Sequence, residues 1–93
     1  MRHKFLVHKH GDAVGVAVAE IDADESVVGV FMDDEARLQI EAREAVPFGH
    51  KIAITDIDAG CPVLEYGITI GLAPTGLKTG EYVHTHNLRS ARW

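Results

Sequence analysis

Apolar and polar residues alternate along much of the chain, a pattern that predicts β-strands. The clearest example covers residues 37–42, where Leu38 and Ile40 stand between polar or charged neighbours. Good helix formers over residues 35–45 leave a helix as the alternative there, but the i, i+2 spacing of Leu38 and Ile40 favours a strand. Further short strands, separated by turn residues, are predicted at residues 4–8, 14–19, 27–32 and 51–55.

Glycines shape the rest of the predicted fold. Gly15 interrupts one apolar run, which predicts that one face of that strand lies close to another backbone, and Gly29 interrupts a second run. Residues 21–26 are acidic and predict a loop. Glycines at positions 60, 67, 71, 76 and 80 leave no room for a long helix. The sequence therefore predicts one all-β domain over residues 1–93, ending in a folded ribbon with bends.

One stretch of this ribbon occurs twice, at residues 60–67 and 80–87. Gly60 and Gly80 match, Val63 and Val83 match, and Gly67 corresponds to Asn87, another residue that tolerates a positive φ. His84 and His86 occur in the second copy alone, where the first has leucine and tyrosine. The fold therefore does not require imidazoles at these positions, and the difference directs attention to function.

Composition restricts the class of protein. The 93 residues are 46% hydrophobic and 25% charged, which is typical of a small globular domain. A net charge of -5 argues against binding to a nucleic-acid backbone. The single Cys61 excludes an internal disulfide, and no signal pattern begins the chain. The longest apolar run, residues 13–19, is too short to cross a membrane. We expect a cytoplasmic protein with no membrane segment.

His84 and His86 are the strongest candidates for chemistry. On a regular strand their side chains share one face, with Cα atoms about 6.5–7 Å apart. Two imidazoles at this spacing can hold one metal ion, or one can hold the ion while the other contacts a substrate oxygen. Asn87 can add an amide donor or acceptor. Exposed strand histidines without a function are the alternative, although Tyr82 on the same face makes that face polar.

Other polar residues favour structural interpretations. His50, at the start of a predicted strand, is interpreted as a turn histidine or a ligand. Cys61 has no evident base beside it and is interpreted as a small, partly buried side chain. The remaining candidates are interpreted as solvated: His3, His8, His10, Asp56 and Asp58.

Several motifs taken together resemble a known family. They are the segment at residues 47–53 (PFGHKIA), Asp56-Ile57, Gly60, Tyr66-Gly67, Ile70-Gly71 and residues 83–87 (VHTHN). In combination they resemble the SAF domain of the UxaA family, which comprises altronate and galactarate dehydratases and their sulfolactate sulfo-lyase relatives. The resemblance covers mainly the C-terminal half. It implies a β-clip, a long bent hairpin folded from short strands. Cys61 departs from the acidic residue that members commonly have after the glycine.

The resemblance also implies a function. This domain is either fused to a large catalytic domain or made as a separate small subunit, and Met1 and the chain length suit the second form. The expected reaction is β-elimination of water from a sugar acid, or of sulfite from sulfolactate. A divalent metal, commonly iron, is expected with or within the large subunit. His84 and His86 are the expected catalytic residues and metal ligands, and Asn87, Thr85 and His50 the expected substrate contacts.

Two other roles remain open at this point. The domain can bind a sugar acid without contributing a catalytic group, or it can serve only to assemble catalytic subunits. In the second case apolar positions expected at the surface would form the contact: Leu72, Leu77 and Leu88.

Overall fold

Short β-strands make up the regular secondary structure of the part of the chain that the structure describes. The computed structural model describes residues 2–84 and 86–89, which contain no helix and hence none that could cross a membrane. The all-β prediction is confirmed. The alternative prediction of a helix over residues 35–45 is wrong, because residues 37–41 form a strand that pairs with residues 26–30. The strands are β1 Phe5–Val7, β2 Val14–Ala17, β3 Ser26–Phe31, β4 Arg37–Glu41, β5 Lys51–Ala53, β6 Pro62–Glu65, β7 Ile68–Leu72 and β8 Tyr82–Val83.

Six strands form one curled sheet in the order β4-β3-β1-β2-β5-β8, and β6 and β7 form a separate hairpin. The β1–β3 pair is parallel, and the other strand pairs are antiparallel. The ends of the sheet meet, because Arg43 N donates to Gly80 O at 2.8 Å and Tyr82 N donates to the Glu44 carboxylate at 2.9 Å. The sheet thus curls into a half-barrel whose last strand lies beside the segment that follows β4.

Two apolar clusters hold the fold, one on each side of β5. Ile52 packs in the first cluster with Phe5 and Val27, and Ala53 packs in the second with Val63. Because successive strand residues point to opposite faces, one three-residue strand serves both cores. The β6–β7 hairpin is anchored to the sheet through the second cluster.

The ring of Phe5 leaves no space for a side chain at positions 29 and 15. A Cβ on Gly29 would overlap that ring, and a Cβ on Gly15 would stand 2.8 Å from it. The close approach predicted at Gly15 is confirmed, and at both glycines the nearest neighbour is this aromatic side chain. A Cβ on Gly15 would also lie 3.0 Å from the carbonyl oxygen of Leu6, so a backbone contributes there as well.

The repeat occurs four times among the described residues. Each copy, here called the turn motif, has an apolar residue, a positive-φ residue three positions later, and a buried apolar strand residue three positions after that. In each copy the residue after the positive-φ position donates its N–H across the turn, at 3.0–3.2 Å. The copies are Ile21, Asp24 and Val27; Val46, Gly49 and Ile52; Ile57, Gly60 and Val63; and Leu77, Gly80 and Val83.

The expected exposure of Leu77 and the expected partial burial of Cys61 are wrong. Leu77 is 1% exposed, because its backbone pairs with Ile57 and its side chain enters the second cluster. It is not available for a contact between subunits. Cys61 is exposed rather than partly buried, since it follows the positive-φ Gly60 at the outside of a turn.

Candidate functional site

The register of β5 and β8 brings three predicted or neighbouring site residues to one face. Ile52 pairs with Tyr82 in this antiparallel ladder. His50 and His84 adjoin the last pair of this ladder, Lys51 and Val83, and their ring centroids lie 5.6 Å apart. Ile52 itself is fully buried in the first apolar cluster, and Tyr82 packs against that cluster. The polar rings therefore lie at the edge of the core.

These rings form a compact group, here called the imidazole–tyrosine cluster: His50, Tyr82, His84 and His86. The phenol oxygen of Tyr82 lies 2.6 Å from Nδ1 of His50. The Tyr82 ring stacks on His84 with 5.5 Å between centroids, and His86 meets its edge at 5.9 Å. The centroids of His50 and His84 lie 5.6 Å apart. Both His84 and His86 are exposed, so solvent or a partner reaches the cluster.

His84 and His86 do not lie on a regular strand. Strand β8 ends at Val83, which pairs with Lys51, the first residue of β5. The chain turns at His84, whose carbonyl accepts the N–H groups of Asn87 at 3.1 Å and Leu88 at 3.0 Å. The strand geometry expected for this pair is wrong, and the turn now sets the position of His86 against the Tyr82 ring.

Asn87 holds this turn with its side-chain amide. Its Oδ1 accepts the N–H of His84 at 2.9 Å, and its Nδ2 donates to the carbonyl of Tyr82 at 2.8 Å. Asn87 is 6% exposed. Both ends of the amide are thus engaged with backbone, which gives Asn87 a clear positioning role. Its contact with substrate stays a prediction, and Thr85 lies outside the described residues.

The loop before β8 is fixed by two carboxylates. Asp56 accepts the N–H of Thr79 at 2.8 Å and its hydroxyl at 2.9 Å, which lowers the pKa of the aspartate. Glu81 accepts the N–H of Lys78 within the turn motif. Asp56 therefore has a structural role, and the strand that carries Tyr82 begins from a rigid turn.

Among the described residues, the cluster does not bring three metal-ligand side chains together. The side-chain nitrogens of His50, His84 and His86 do not all lie within 4.8 Å of one another. A site with three protein ligands is the usual minimum for a catalytic zinc, and comparable sets hold other transition metals. Any ion at this place would need ligands from outside the described residues.

The N-terminal histidines lie elsewhere and make their own contacts. His10 stacks on Phe31 at 3.9 Å, and its Nε2 lies 2.8 Å from the Asp34 carboxylate. Asp33 joins them, and these three side chains form the group of metal-ligand type found among the described residues, all exposed. The N–H of Ala36 and, next, the hydrogen bond with His10 lower the pKa of Asp34. His8 is half-buried rather than solvated, because it stacks on Tyr66 at 4.3 Å.

Tyr82 is the site residue that sequence reasoning missed. It is predicted only as a neighbour on a polar face, yet it contacts all three imidazoles of the cluster. The available signal is the pairing of the strand after Gly49 with the strand after Gly80, which places His50 across from His84. That pairing follows once both stretches are seen as copies of one turn motif.

Comparison with known proteins gives consistent relatives. A family model described as the altronate/galactarate dehydratase SAF domain matches residues 3–91. The chain is 41% identical over 90 residues to the (2R)-sulfolactate sulfo-lyase subunit alpha of Chromohalobacter salexigens, covering 96% of both chains. It is 39% identical over 79 residues to the altronate dehydratase of Escherichia coli, covering 85% of this chain and 15% of that enzyme. The Bacillus subtilis altronate dehydratase is 34% identical over 90 residues, again with a small share, 17%, of the enzyme covered.

Proposed function

Because the chain belongs to the family of altronate/galactarate dehydratase SAF domains, we propose that it is the small subunit of a lyase acting on a hydroxy acid. On this proposal it works with a large catalytic subunit and is inactive alone. The observation that carries the proposal is the match over 96% of the length of a relative that is itself named as a subunit. The much longer altronate dehydratases correspond to this chain over a small fraction of their length.

The proposed chemistry is β-elimination. A base removes the proton from C2, next to the carboxylate, and its electron pair forms the C2–C3 double bond while the group on C3 departs. The departing group is hydroxide, which leaves as water, or sulfite. The resulting enol becomes a 2-keto acid. This sequence requires a base, a group that stabilises the negative charge that develops on the carboxylate, and a proton donor.

The cluster supplies part of this machinery. His84 and His86 are exposed beside Tyr82, and His50 is held by the phenol. Imidazoles can transfer a proton or hydrogen bond to a carboxylate near neutral pH. Because His84 and His86 are exposed, the part of the site that the structure describes is open to water. The cluster therefore acts as one wall of a site that the large subunit closes.

A divalent metal, iron in the expected case, belongs on this proposal to the large subunit or to the interface. It would polarise the substrate carboxylate or hydroxyl. His84 and His86 either add to ligands from the large subunit or contact substrate directly. Metal content of the complex distinguishes these roles, since loss of a ligand lowers it.

Two substrate classes fit the family. A sugar acid of the altronate or galactarate type is the first candidate, with water as the leaving group. Sulfolactate is the second, and the full-length similarity to a free-standing sulfo-lyase subunit specifically favours it. A sugar-acid-binding or assembly module without a catalytic group is the remaining alternative.

Reconstitution tests the proposal. The chain would be purified together with a candidate large catalytic subunit, and each substrate class would be assayed for 2-keto acid, with sulfite measured in parallel. We expect turnover only by the complex. Replacing His84 and His86 together with alanine should lower activity at least about a hundredfold, the scale of a lost acid–base group. His10→Ala, outside the cluster, is the matched control.

Three results would overturn the proposal. They are full turnover by the isolated chain, no product from either substrate class with the complex, and unchanged activity in the double histidine variant. Retained assembly with lost activity in that variant would support a catalytic role over a purely assembling one.

A further inference from the structure

We infer that Tyr82 is the positioning residue of the cluster, and that its phenol fixes His50 in the tautomer that carries its proton on Nε2. The catalytic consequence rests on the proposed function, whereas the tautomer is a property of the chain itself. The geometric basis is the 2.6 Å separation between the phenol oxygen and Nδ1 of His50, with the two rings edge to face.

The direction of this hydrogen bond follows from the chemistry of the two groups. A phenol is a good donor and a weak acceptor, because its oxygen lone pair is delocalised into the ring. The unprotonated nitrogen of a neutral imidazole is a strong acceptor. The phenol therefore donates to Nδ1, and the proton of neutral His50 resides on Nε2. Among the described residues the His50 ring forms its hydrogen bond through Nδ1 alone, so Nε2–H remains as the donor for a ligand.

Comparison of the four turn motifs indicates that the fold does not need histidine at position 50. In two other copies the equivalent residue is Glu25 or Glu81, whose carboxylate accepts a backbone N–H of its own turn. His50 keeps only the backbone bond of the motif, from its N–H to Pro47 O at 3.0 Å. Its ring leaves the turn and points to Tyr82 instead.

Tyr82 is itself held from both sides. Its N–H donates to Glu44, and its carbonyl accepts from Asn87. Its ring packs against the first apolar cluster and carries His84 on one face, with an interplanar angle of 18°. The phenol is therefore fixed before any ligand binds, and this preorganisation transfers to His50.

A neutral His50 with its proton on Nε2 is a donor to an anionic oxygen. It binds the carboxylate or hydroxyl of the hydroxy acid and does not act as the base of the elimination. Loss of the phenol frees the His50 ring to rotate and to adopt the other tautomer. Substrate binding then weakens, while the chemical step that uses other groups is less affected.

The tautomer can be read directly in the full chain. Long-range ¹H–¹⁵N correlation spectra, recorded at about pH 8.5 where ordinary imidazoles are neutral, distinguish a protonated from an unprotonated ring nitrogen. We expect His50 to show the Nε2–H form in the wild type and a mixture of forms in Tyr82→Phe. The control is Tyr66→Phe, which changes the other tyrosine, exposed and stacked on His8, and should leave His50 unchanged.

A wild-type His50 protonated on Nδ1 would overturn the inference, and so would an unchanged tautomer in Tyr82→Phe. The wild-type spectrum tests the tautomer of His50 even if Tyr82→Phe fails to fold. In the reconstituted complex, Tyr82→Phe should raise KM about five- to tenfold, the value of one hydrogen bond, with a smaller change in kcat. A fall in kcat with KM unchanged would contradict the binding role. An inactive wild-type complex would instead overturn the proposed function. The spectra of the chain alone would still test the tautomer of His50.

Discussion

Ile57 and Leu77 exchange both of their backbone hydrogen bonds, at 2.9 and 2.8 Å, although they begin two separate copies of the turn motif. Ile21 and Val46 do the same in the other two copies, at 3.0 and 2.9 Å. The four motifs thus associate in pairs through their first residues. The strands that follow the four motifs are β3, β5 and β8 in the sheet and β6 in the hairpin. Tyr82 lies on β8, the strand that follows Leu77.

The glycine of the last motif should be the least replaceable of the four positive-φ residues. A Cβ on Gly80 would overlap the carbonyl oxygen of Glu41, where the sheet closes on itself. We expect Gly80→Ala to lower the free energy of unfolding by about 2–4 kcal/mol, from steric overlap and an unfavourable φ together. Urea unfolding followed by fluorescence or circular dichroism measures the change.

Gly60→Ala is the matched control, because Gly60 has φ +81° against +92° for Gly80 but no atom within 4 Å of an added Cβ. It should cost only about 1–2 kcal/mol, from backbone conformation alone. Equal losses in the two variants would contradict the importance of the closure at Glu41.

A glutamate at position 61 should stabilise the chain. Glu25 and Glu81 occupy the equivalent position in two motifs and each accepts a backbone N–H of its turn, whereas Cys61 is exposed at this place. Cys61→Glu should add about 0.5–1 kcal/mol to the free energy of unfolding by supplying the same bond to Asp58 N. Cys61→Ala removes the thiol without adding an acceptor and should be close to neutral. A glutamate variant no more stable than the alanine variant would refute the equivalence.

The strands were predictable because alternation is local information. Leu38 and Ile40 alone favoured a strand, and the structure places β4 there. Two of the four turn motifs were also visible, since Gly60 and Gly80 share their neighbours' spacing. The other two were missed because Asp24 takes the positive φ in one, and Pro47-Phe48 alters the other.

What could not be predicted depends on which segments meet. Strand β8 ends opposite Lys51, the first residue of β5, so the strand expected to carry His84 and His86 ends before both residues. Leu77 looks exposed in a polar stretch, and only its pairing with Ile57 buries it. The bond between Tyr82 and His50 likewise depends on register between segments that are distant in sequence.

The stabilising effect of Glu25 should depend on pH. The N–H of Asp22 and, next, the ammonium of Lys4 at 2.6 Å lower the pKa of Glu25 in the folded chain. Its contribution is therefore present above the ordinary glutamate pKa of about 4.3, and it is lost as the pH falls through the lowered folded pKa. Glu25→Gln should be less stable than wild type by at most about 1 kcal/mol at neutral pH, with the gap closing in acid.

Urea midpoints measured from neutral to acidic pH test this. Glu41→Gln, on the exposed face of β4, controls for removing one negative charge from an acidic chain. A gap between Glu25→Gln and wild type that persists or widens in acid would contradict the assignment.

Asp12 should be essential for the tip of the β6–β7 hairpin. It is 4% exposed, and its carboxylate accepts the N–H groups of Tyr66 at 2.7 Å, Gly67 at 3.0 Å and Lys9 at 3.3 Å. Asp12→Asn turns an amide group toward one of these donors and should cost about 2–3 kcal/mol. Amide exchange at Tyr66 and Gly67 should accelerate more than exchange in β3. The exposed Asp58→Asn is the control, and protected Tyr66 and Gly67 amides in Asp12→Asn would refute the prediction.

Asn87 should act by holding His84 in place rather than by binding substrate. Asn87→Ala removes the acceptor for His84 N and the donor to Tyr82 O, which should cost about 2–3 kcal/mol and speed amide exchange at His84. Asn87→Asp keeps the acceptor but sets an oxygen against the Tyr82 carbonyl, so it should rescue His84 protection only in part.

In the reconstituted complex both variants should lower kcat/KM in proportion to the loss of His84 protection. Gln39→Ala removes an exposed amide from β4 and controls for general effects. A raised KM with His84 exchange unchanged would instead identify Asn87 as a direct substrate contact, because the substitution would then weaken substrate binding without disturbing the turn.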